Sequence, residues 1–216
     1  IVEPILNRDD RDESLSRPQR DRLRAAASHF EKAVKIARNE EQRARLGMYL
    51  GNLCAVRSAN GQHDSAVVAG LEAREINPTD VALLKNLFAA QIMSDRCDDA
   101  TATAREIGRQ EPGSDAVSRE MHALIAASRY DQALAAYDAA IVNESSLGSD
   151  PLLAAMRIEC LRKLPDLDAA ERLLAESYAR FGREPELLQQ EARMRAAANQ
   201  HETADNLFRE AERGAT

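Results

Sequence analysis

The stretch of sequence that decides the fold is YDQALAAYDAA, residues 130–140. The aromatic Tyr130 is followed after three positions by the small Ala133, and the aromatic Tyr137 is followed after three by the small Ala140. Residues three and four apart lie on one face of an α-helix, so these side chains form a single stripe. Small residues let a second helix approach closely, and the aromatic rings fill the space beside them. The stretch therefore predicts a helix that packs against a neighbour along this stripe.

The same pattern recurs along the chain at a nearly constant spacing. With Ala133 as the reference, equivalent alanines follow at steps of 34, 33, 37 and 34 residues: Ala66, Ala100, Ala133, Ala170 and Ala204. An acidic residue stands two positions before each, where the first turn of a helix presents N–H groups and the positive end of its dipole. These residues are Asp64, Asp98, Asp131, Asp168 and Glu202. A constant period of this length is the signature of a repeat protein.

Each unit also contains a helical pattern upstream of its reference alanine. The pattern is clearest in two units, as Leu50, Leu53 and Cys54 and then as Leu84, Leu87 and Phe88. We therefore predict two antiparallel helices in each unit of about 34 residues. This arrangement resembles the tetratricopeptide repeat (TPR) family, whose second helix carries the small-x3-aromatic-x2-small pattern. The resemblance runs from about Asp21 to the C-terminus, and the family's pattern is only partly present in the first helices.

The resemblance implies an all-α fold, a right-handed α-solenoid of antiparallel helix pairs, with about five full repeats and a partial N-terminal one. We expect an irregular leader over residues 1–20 and a TPR-like solenoid over residues 21–216. A helix at 21–39 would bury one stripe: Leu23, Ala26, Phe30, Ala33 and Ile36. The other predicted helices are 41–59, 63–76, 79–94, 97–110, 114–127, 130–143, 151–163, 166–180, 184–198 and 201–213.

Composition narrows the classes of function. The 216 residues include 29 basic and 36 acidic ones, for a net charge of −7. This charge argues against a nucleic-acid binder, which would carry a basic face. No apolar run is long enough to predict a membrane span.

Only four basic residues are lysines, which leaves 25 arginines (29 − 4). This bias indicates a GC-rich, bacterial genome, with arginine-mediated recognition of carboxylates or phosphates as the alternative. The compartment, cytoplasm or periplasm, stays open.

Motifs for catalysis are absent from the sequence. We find no Gly-rich phosphate loop, no HExxH and no GxSxG. His63 and His201 occupy the same position in their units, which favours packing at a helix start over metal ligation. The three cysteines, Cys54, Cys97 and Cys160, are odd in number and two fall on core positions, so reduced packing residues are expected. We predict no enzymatic activity, no cofactor and no metal.

The candidate site is a groove lined by the first helix of each pair, where TPR-like proteins hold a peptide or a partner helix. On this resemblance the groove-facing candidates are Asn52, Lys85, Asn86, Arg119, His122, Glu159, Gln190 and Arg193. Asn52 and Asn86 are 34 residues apart and should stack one repeat above the other. An asparagine offers a donor and an acceptor, so it can hold a peptide backbone of any sequence. The alternative is that both are ordinary exposed helix residues.

The predicted function is a non-enzymatic scaffold or adaptor that binds a protein or peptide partner. Lys85 matches one basic position of the family's carboxylate clamp, but the other positions do not match, so no clamp is predicted. Two alternatives stay open: a regulatory or substrate-docking segment of a larger enzyme, and a self-assembling scaffold. The chain begins at Ile1, and no capping helix follows residues 201–213. We therefore expect a piece of a longer repeat protein that associates weakly through its ends.

Overall fold

The computed structural model describes residues 16–39, 42–164 and 166–214, and over these ranges the chain is all-α with no β-strand. Its helices are α1 (Arg17–Asn39), α2 (Arg43–Ala59), α3 (His63–Ile76), α4 (Val81–Met93), α5 (Cys97–Gln110), α6 (Ser114–Ala126), α7 (Tyr130–Asn143), α8 (Pro151–Lys163), α9 (Leu167–Phe181), α10 (Pro185–Ala197) and α11 (His201–Gly214). From α2 onward, every predicted boundary lies within two residues of the observed one. The predicted all-α solenoid of helix pairs is thus confirmed.

The chain divides into two compact units. Unit 1 ends at Gln110 and contains α1 to α5, and unit 2 begins at Glu111 and contains α6 to α11. In unit 1, leucines of α2 and α4 pack with the small residues of α3 in one core. In unit 2, the cores lie around α7 and α8, around α8 and α9, and around α10 and α11.

The reference alanines lie in the buried part of the structure. All five are buried, and none is more than 2 % exposed. Four residues after the first of them, at Gly70, there is no room even for a methyl group. A Cβ there would lie 2.9 Å from Leu87 Cδ1 and 3.0 Å from Cys54 Sγ. The small residues of α3 therefore let this helix sit against both α2 and α4.

Four helix pairs share one turn between their two helices, counted over the residues that the structure describes. Its central residue has a left-handed backbone, with φ of 75°, 59°, 58° and 60° at Gly61, Asp95, Ser128 and Asn199 respectively. In each pair the following N–H donates to the carbonyl five residues back, at 2.8 to 2.9 Å. This hydrogen bond and the left-handed residue define a Schellman C-terminus, which satisfies a helix-end carbonyl in a very short turn.

The first helix differs from its prediction in two ways. It begins at Arg17 rather than at residue 21, because Pro18 falls in the first turn, where its missing N–H costs nothing. Residues 1–15 of the predicted leader lie outside the described residues. The buried stripe is Ala27, Val34 and Ala37, whereas Ile36 is 55 % exposed. The prediction for Ile36 is wrong because two residues correspond to about 200° around a helix, which puts it on the opposite side from Val34.

The apolar stripe of the last helix is also covered. Ala204, Leu207 and Ala211 are buried, and Leu207 and Ala211 pack with residues of α10, with Phe208 partly buried beside them. The pairing of α10 with α11 therefore covers these side chains.

The additional residues of the 37-residue step lie between two helix pairs, after α7 and before α8. A 3-10 helix, Ser145–Ser149, follows α7, and its Leu147 is buried in the same core as Tyr137. The Asp150 carboxylate then accepts hydrogen bonds from the N–H groups of Leu152 and Leu153, at 2.9 and 3.3 Å. An N-cap of this kind fixes the start of α8. The additional residues therefore leave the pairs themselves unchanged.

Candidate functional site

The predicted groove residues are divided between the two units. Unit 1 holds Asn52 on α2 with Lys85 and Asn86 on α4, and unit 2 holds Arg119 and His122 on α6, Glu159 on α8, and Gln190 and Arg193 on α10. All eight thus lie on the first helices of pairs, as the repeat pattern predicts. The candidate residues of each unit are described separately.

In unit 2, two of the predicted residues contact each other directly. Arg193 Nη1 lies 3.8 Å from Glu159 Oε2, and the side chains are 30 % and 14 % exposed respectively. The two residues are 34 positions apart and occupy equivalent positions on α10 and α8. The repeat period therefore brings equivalent side chains of these two first helices together. Because both groups are largely shielded from water, salt screens their attraction less than that of a surface pair.

A third charged residue, Arg162, belongs to this cluster. Burial lowers the pKa of the Arg162 guanidinium, the Glu159 carboxylate opposes that shift, and Arg193 adds to it. An arginine stays protonated in proteins, so two positive charges share one carboxylate here. Arg162 was not among the predicted groove residues, although it lies one helical turn after Glu159 on the same helix and the spacing could have indicated it.

Gln190 lies deeper than the groove prediction implied. It is 4 % exposed, and its Oε1 has no hydrogen-bond partner among the described residues. A buried acceptor without a donor costs about 1–3 kcal/mol of folding free energy.

On α6, the predicted residues are partly buried and Arg119 is tied to its own helix. Its Nη1 donates to the backbone carbonyl of Asp115 at 3.1 Å, and its Nη2 lies 3.6 Å from the Asp115 carboxylate. His122 is half-buried on the same helix. The Arg119 guanidinium is therefore less available to a ligand than its charge suggests, because it already has two partners.

In unit 1, α2 and α4 pack side by side. A Cβ on Gly51 would lie 3.5 Å from Leu83 Cδ1, an ordinary contact distance. Beside this contact, Asn52 is exposed and Asn86 is half-buried. We call the surface around them the α2–α4 face, which consists of Arg45, Met48, Asn52, Ala55 and Ala59 of α2 and Ala82, Lys85, Asn86, Ala89 and Met93 of α4.

A polar hollow next to the 3-10 helix lies outside the predicted groove. Its lining consists of Ser114, Glu144, Ser146, Leu147, Ser149, Asp150 and Pro151. Four of its polar side chains already have partners: Asp150 caps α8, Ser146 donates to Glu144 at 2.9 Å, and Ser149 accepts from Arg180 at 2.7 Å. The 37-residue step was the only sequence signal for this feature.

Groups for metal or thiol chemistry are not assembled in the described ranges. These ranges contain no cluster of three or more histidine, cysteine or acidic side chains suited to a metal ion. Burial raises the pKa of the Cys54 thiol to about 11 and that of Cys160 to about 12, so both stay protonated at neutral pH. No helix in the described part of the chain has the length and apolar character needed to cross a membrane.

Comparison with known proteins gives a clear result only at the level of structure. No family model and no curated protein matches the chain. The solved structure of YrrB, described as a TPR protein with an unusual peptide-binding site, superposes with a TM-score of 0.51 over 83 % of this chain and 90 % of its own. The fold is tetratricopeptide-like. The sequences are 14 % identical, so the likeness concerns the fold and not individual residues.

Two further solved structures resemble this TPR-like chain. The structure designated MamA MSR-1 C2 is 15 % identical, with a TM-score of 0.49 over 78 % of this chain and 96 % of its own. A tetratricopeptide repeat protein from Parabacteroides merdae is 14 % identical, with a TM-score of 0.47 over 91 % of this chain and 93 % of its own.

Proposed function

We propose that this TPR-like chain is a non-enzymatic interaction scaffold that binds a peptide or a partner helix across the first helices of its pairs. The Glu159–Arg193 contact carries the proposal, because it places equivalent positions of successive first helices next to each other. A ligand that crosses these helices would meet the same position once in every repeat. Such periodic contact suits an elongated partner better than a small molecule.

Asn52 and Asn86 are proposed to hold the backbone of that partner. They occupy equivalent positions on α2 and α4, and both are at least partly accessible. Each amide can donate to a carbonyl and accept from an N–H, so neither needs a particular partner side chain. The peptide-binding site described for YrrB is consistent with this role, although a shared fold alone does not assign function.

The proposal is tested by selecting short random peptides on the intact chain and measuring their affinities by fluorescence polarisation. The double substitution Asn52→Ala and Asn86→Ala should weaken binding about tenfold, the effect of losing one or two net hydrogen bonds. Asn206→Ala is the matched control, because Asn206 is also exposed on a helix but lies on α11. Circular dichroism should show equal helicity in all three proteins.

Two outcomes would contradict the proposal. One is that no peptide is enriched on the intact chain. The other is that peptides bind the double variant as tightly as they bind the unchanged chain.

A further inference from the structure

Charge is distributed unequally among the helices of unit 1. Neither α2 nor α4 contains an acidic residue, although the whole chain has 36 acidic residues and a net charge of −7. The same two helices carry four basic residues: Arg43, Arg45, Arg57 and Lys85. Acidic side chains lie on the other three helices of the unit: Asp21 and Glu31 of α1, Asp64, Glu72 and Glu75 of α3, and Asp98, Asp99 and Glu106 of α5. Within unit 1, α2 and α4 are therefore the helices without an acidic side chain.

These basic residues do not all have the same role. Arg57 joins three helices: its Nη2 bonds to Glu31 of α1 at 2.9 Å, and its Nη1 donates to the Ser65 carbonyl of α3 at 3.2 Å. Arg45 is exposed and donates to the neutral Gln42 side chain at 2.9 Å. Arg45 and Lys85 belong to the α2–α4 face, whereas Arg57 holds the fold together.

The rest of the α2–α4 face is small and apolar. Met48 is 51 % exposed, and Ala59, Ala82 and Ala89 are exposed on the same stripes of α2 and α4. Alanines let a ligand approach the helix backbone, and a flexible methionine adapts to differently shaped apolar side chains. The one acidic residue directly before α4, Asp80, caps that helix by accepting from the Leu83 N–H at 3.1 Å.

We infer that the α2–α4 face binds an acidic amphipathic peptide. Its carboxylates would lie against Arg45 and Lys85, and its apolar side chains would lie on Met48 and the alanines. This inference rests on the proposed function and names the chemistry of the partner. Complementary charge speeds association and rejects partners of the wrong sign. Because the whole chain is negative, an acidic ligand would be attracted by local basic residues such as Arg45 and Lys85.

The composition of the selected peptides tests the inference. Peptides enriched on the intact chain should carry net negative charge and apolar residues. Their Kd should rise as the salt concentration is raised from about 0.05 to 0.5 M, because salt screens exposed charges. Arg45→Glu and Lys85→Glu should each weaken binding about tenfold. The controls Lys32→Glu and Lys35→Glu make the same change of charge at exposed positions of α1 and should leave the Kd unchanged.

The possible results separate this inference from the proposed function. If the enriched peptides are neutral or basic and lose affinity with Asn52→Ala and Asn86→Ala, the acidic character of the partner is contradicted, whereas the proposed peptide-binding function is retained. Acidic peptides that bind the Arg45→Glu and Lys85→Glu variants normally would also overturn the inference. Failure to enrich any peptide would overturn both.

Discussion

Glu159 and Arg193 are 34 positions apart in the chain, and their charged groups lie 3.8 Å apart. The same spacing joins Arg38 of α1 to Glu72 of α3, where the guanidinium donates to the carboxylate. In the first case the partners are first helices of unit 2, and in the second they are neighbouring helices of unit 1. Charged residues that are one repeat period apart in the chain thus contact each other across two helices. Substitution of either partner can test such a contact.

The Glu159–Arg193 pair should contribute to stability because both groups are largely shielded. Glu159→Gln would leave Arg162 and Arg193 without their shared carboxylate, and we expect the free energy of unfolding to fall by about 1–2 kcal/mol. Urea unfolding gives this value. In the background of Arg193→Gln the same substitution should cost less, since one of the unpaired charges is gone. Strictly additive effects of the two substitutions would show that the pair is not coupled.

The burial of the reference alanines predicts intolerance of larger side chains. Ala133 is 0 % exposed, so Ala133→Leu should push α7 away from its neighbours and destabilise the protein by about 1–3 kcal/mol. Thermal melting measures the effect. Gln132→Leu adds a leucine at the next position, which is exposed, and should leave the melting temperature nearly unchanged. Equal melting temperatures for the two variants would mean that the repeat register is wrong.

The shared turn predicts that glycine is the better residue at its left-handed position. Ser128 has φ of 58°, a conformation that costs a residue with a side chain about 1 kcal/mol. Ser128→Gly should therefore raise the free energy of unfolding by up to that amount. Gly61→Ala makes the reverse change in the equivalent turn, where φ is 75°, and should lower it. Chemical denaturation of both variants checks the signs, and a loss of stability in Ser128→Gly would refute the argument.

The buried thiols predict a loss of stability at alkaline pH. Burial raises the pKa of Cys54 to about 11 and that of Cys160 to about 12, above the ordinary 9.0. Between these values the unfolded chain has lost thiol protons that the folded chain retains. Stability is therefore fully present below pH 9 and falls as the pH rises towards 11, by up to about 1.4 kcal/mol per pH unit for each thiol.

Urea midpoints at pH 8 and pH 10 measure this decline. Replacing Cys54 and Cys160 together by alanine should reduce it, whereas Cys97→Ala, at a partly exposed position, serves as the control. Burial also raises the pKa of Tyr178, but that contribution is common to all three proteins. An unchanged decline in the double variant would exclude the thiols as its source.

The helix pairs were predictable because their signals are periodic and local. Three signals indicate the same repeat units: the reference alanines, the acidic residues before them, and the glycine-containing turn at Asn60-Gly61. Ile36 was misassigned because α1 has no complete pair upstream in the described residues, and its many small residues fit more than one stripe. Which side chains of a helix are buried depends on the helix that packs against it.

The candidate site was predictable in its spacing but not in its depth. The 34-residue period alone indicates that Glu159 lies next to Arg193, because equivalent positions of successive first helices become neighbours. It could not reveal that Gln190 is buried or that Arg162 lies within the field of Glu159, because both depend on how tightly the helices pack. Repetition predicts which residues are adjacent, whereas exposure depends on the side chains around them.

The turn shared by four helix pairs also constrains how such a chain can change its length during evolution. Duplication or loss of a whole pair preserves the left-handed residue and its hydrogen bond, so the resulting junction is one that the fold already contains. An insertion inside a pair would separate the groups that close this turn. The one long step, 37 residues instead of 34, places its additional residues between α7 and α8, outside any pair. Growth of this protein is thus easiest by whole pairs or in the links that join them.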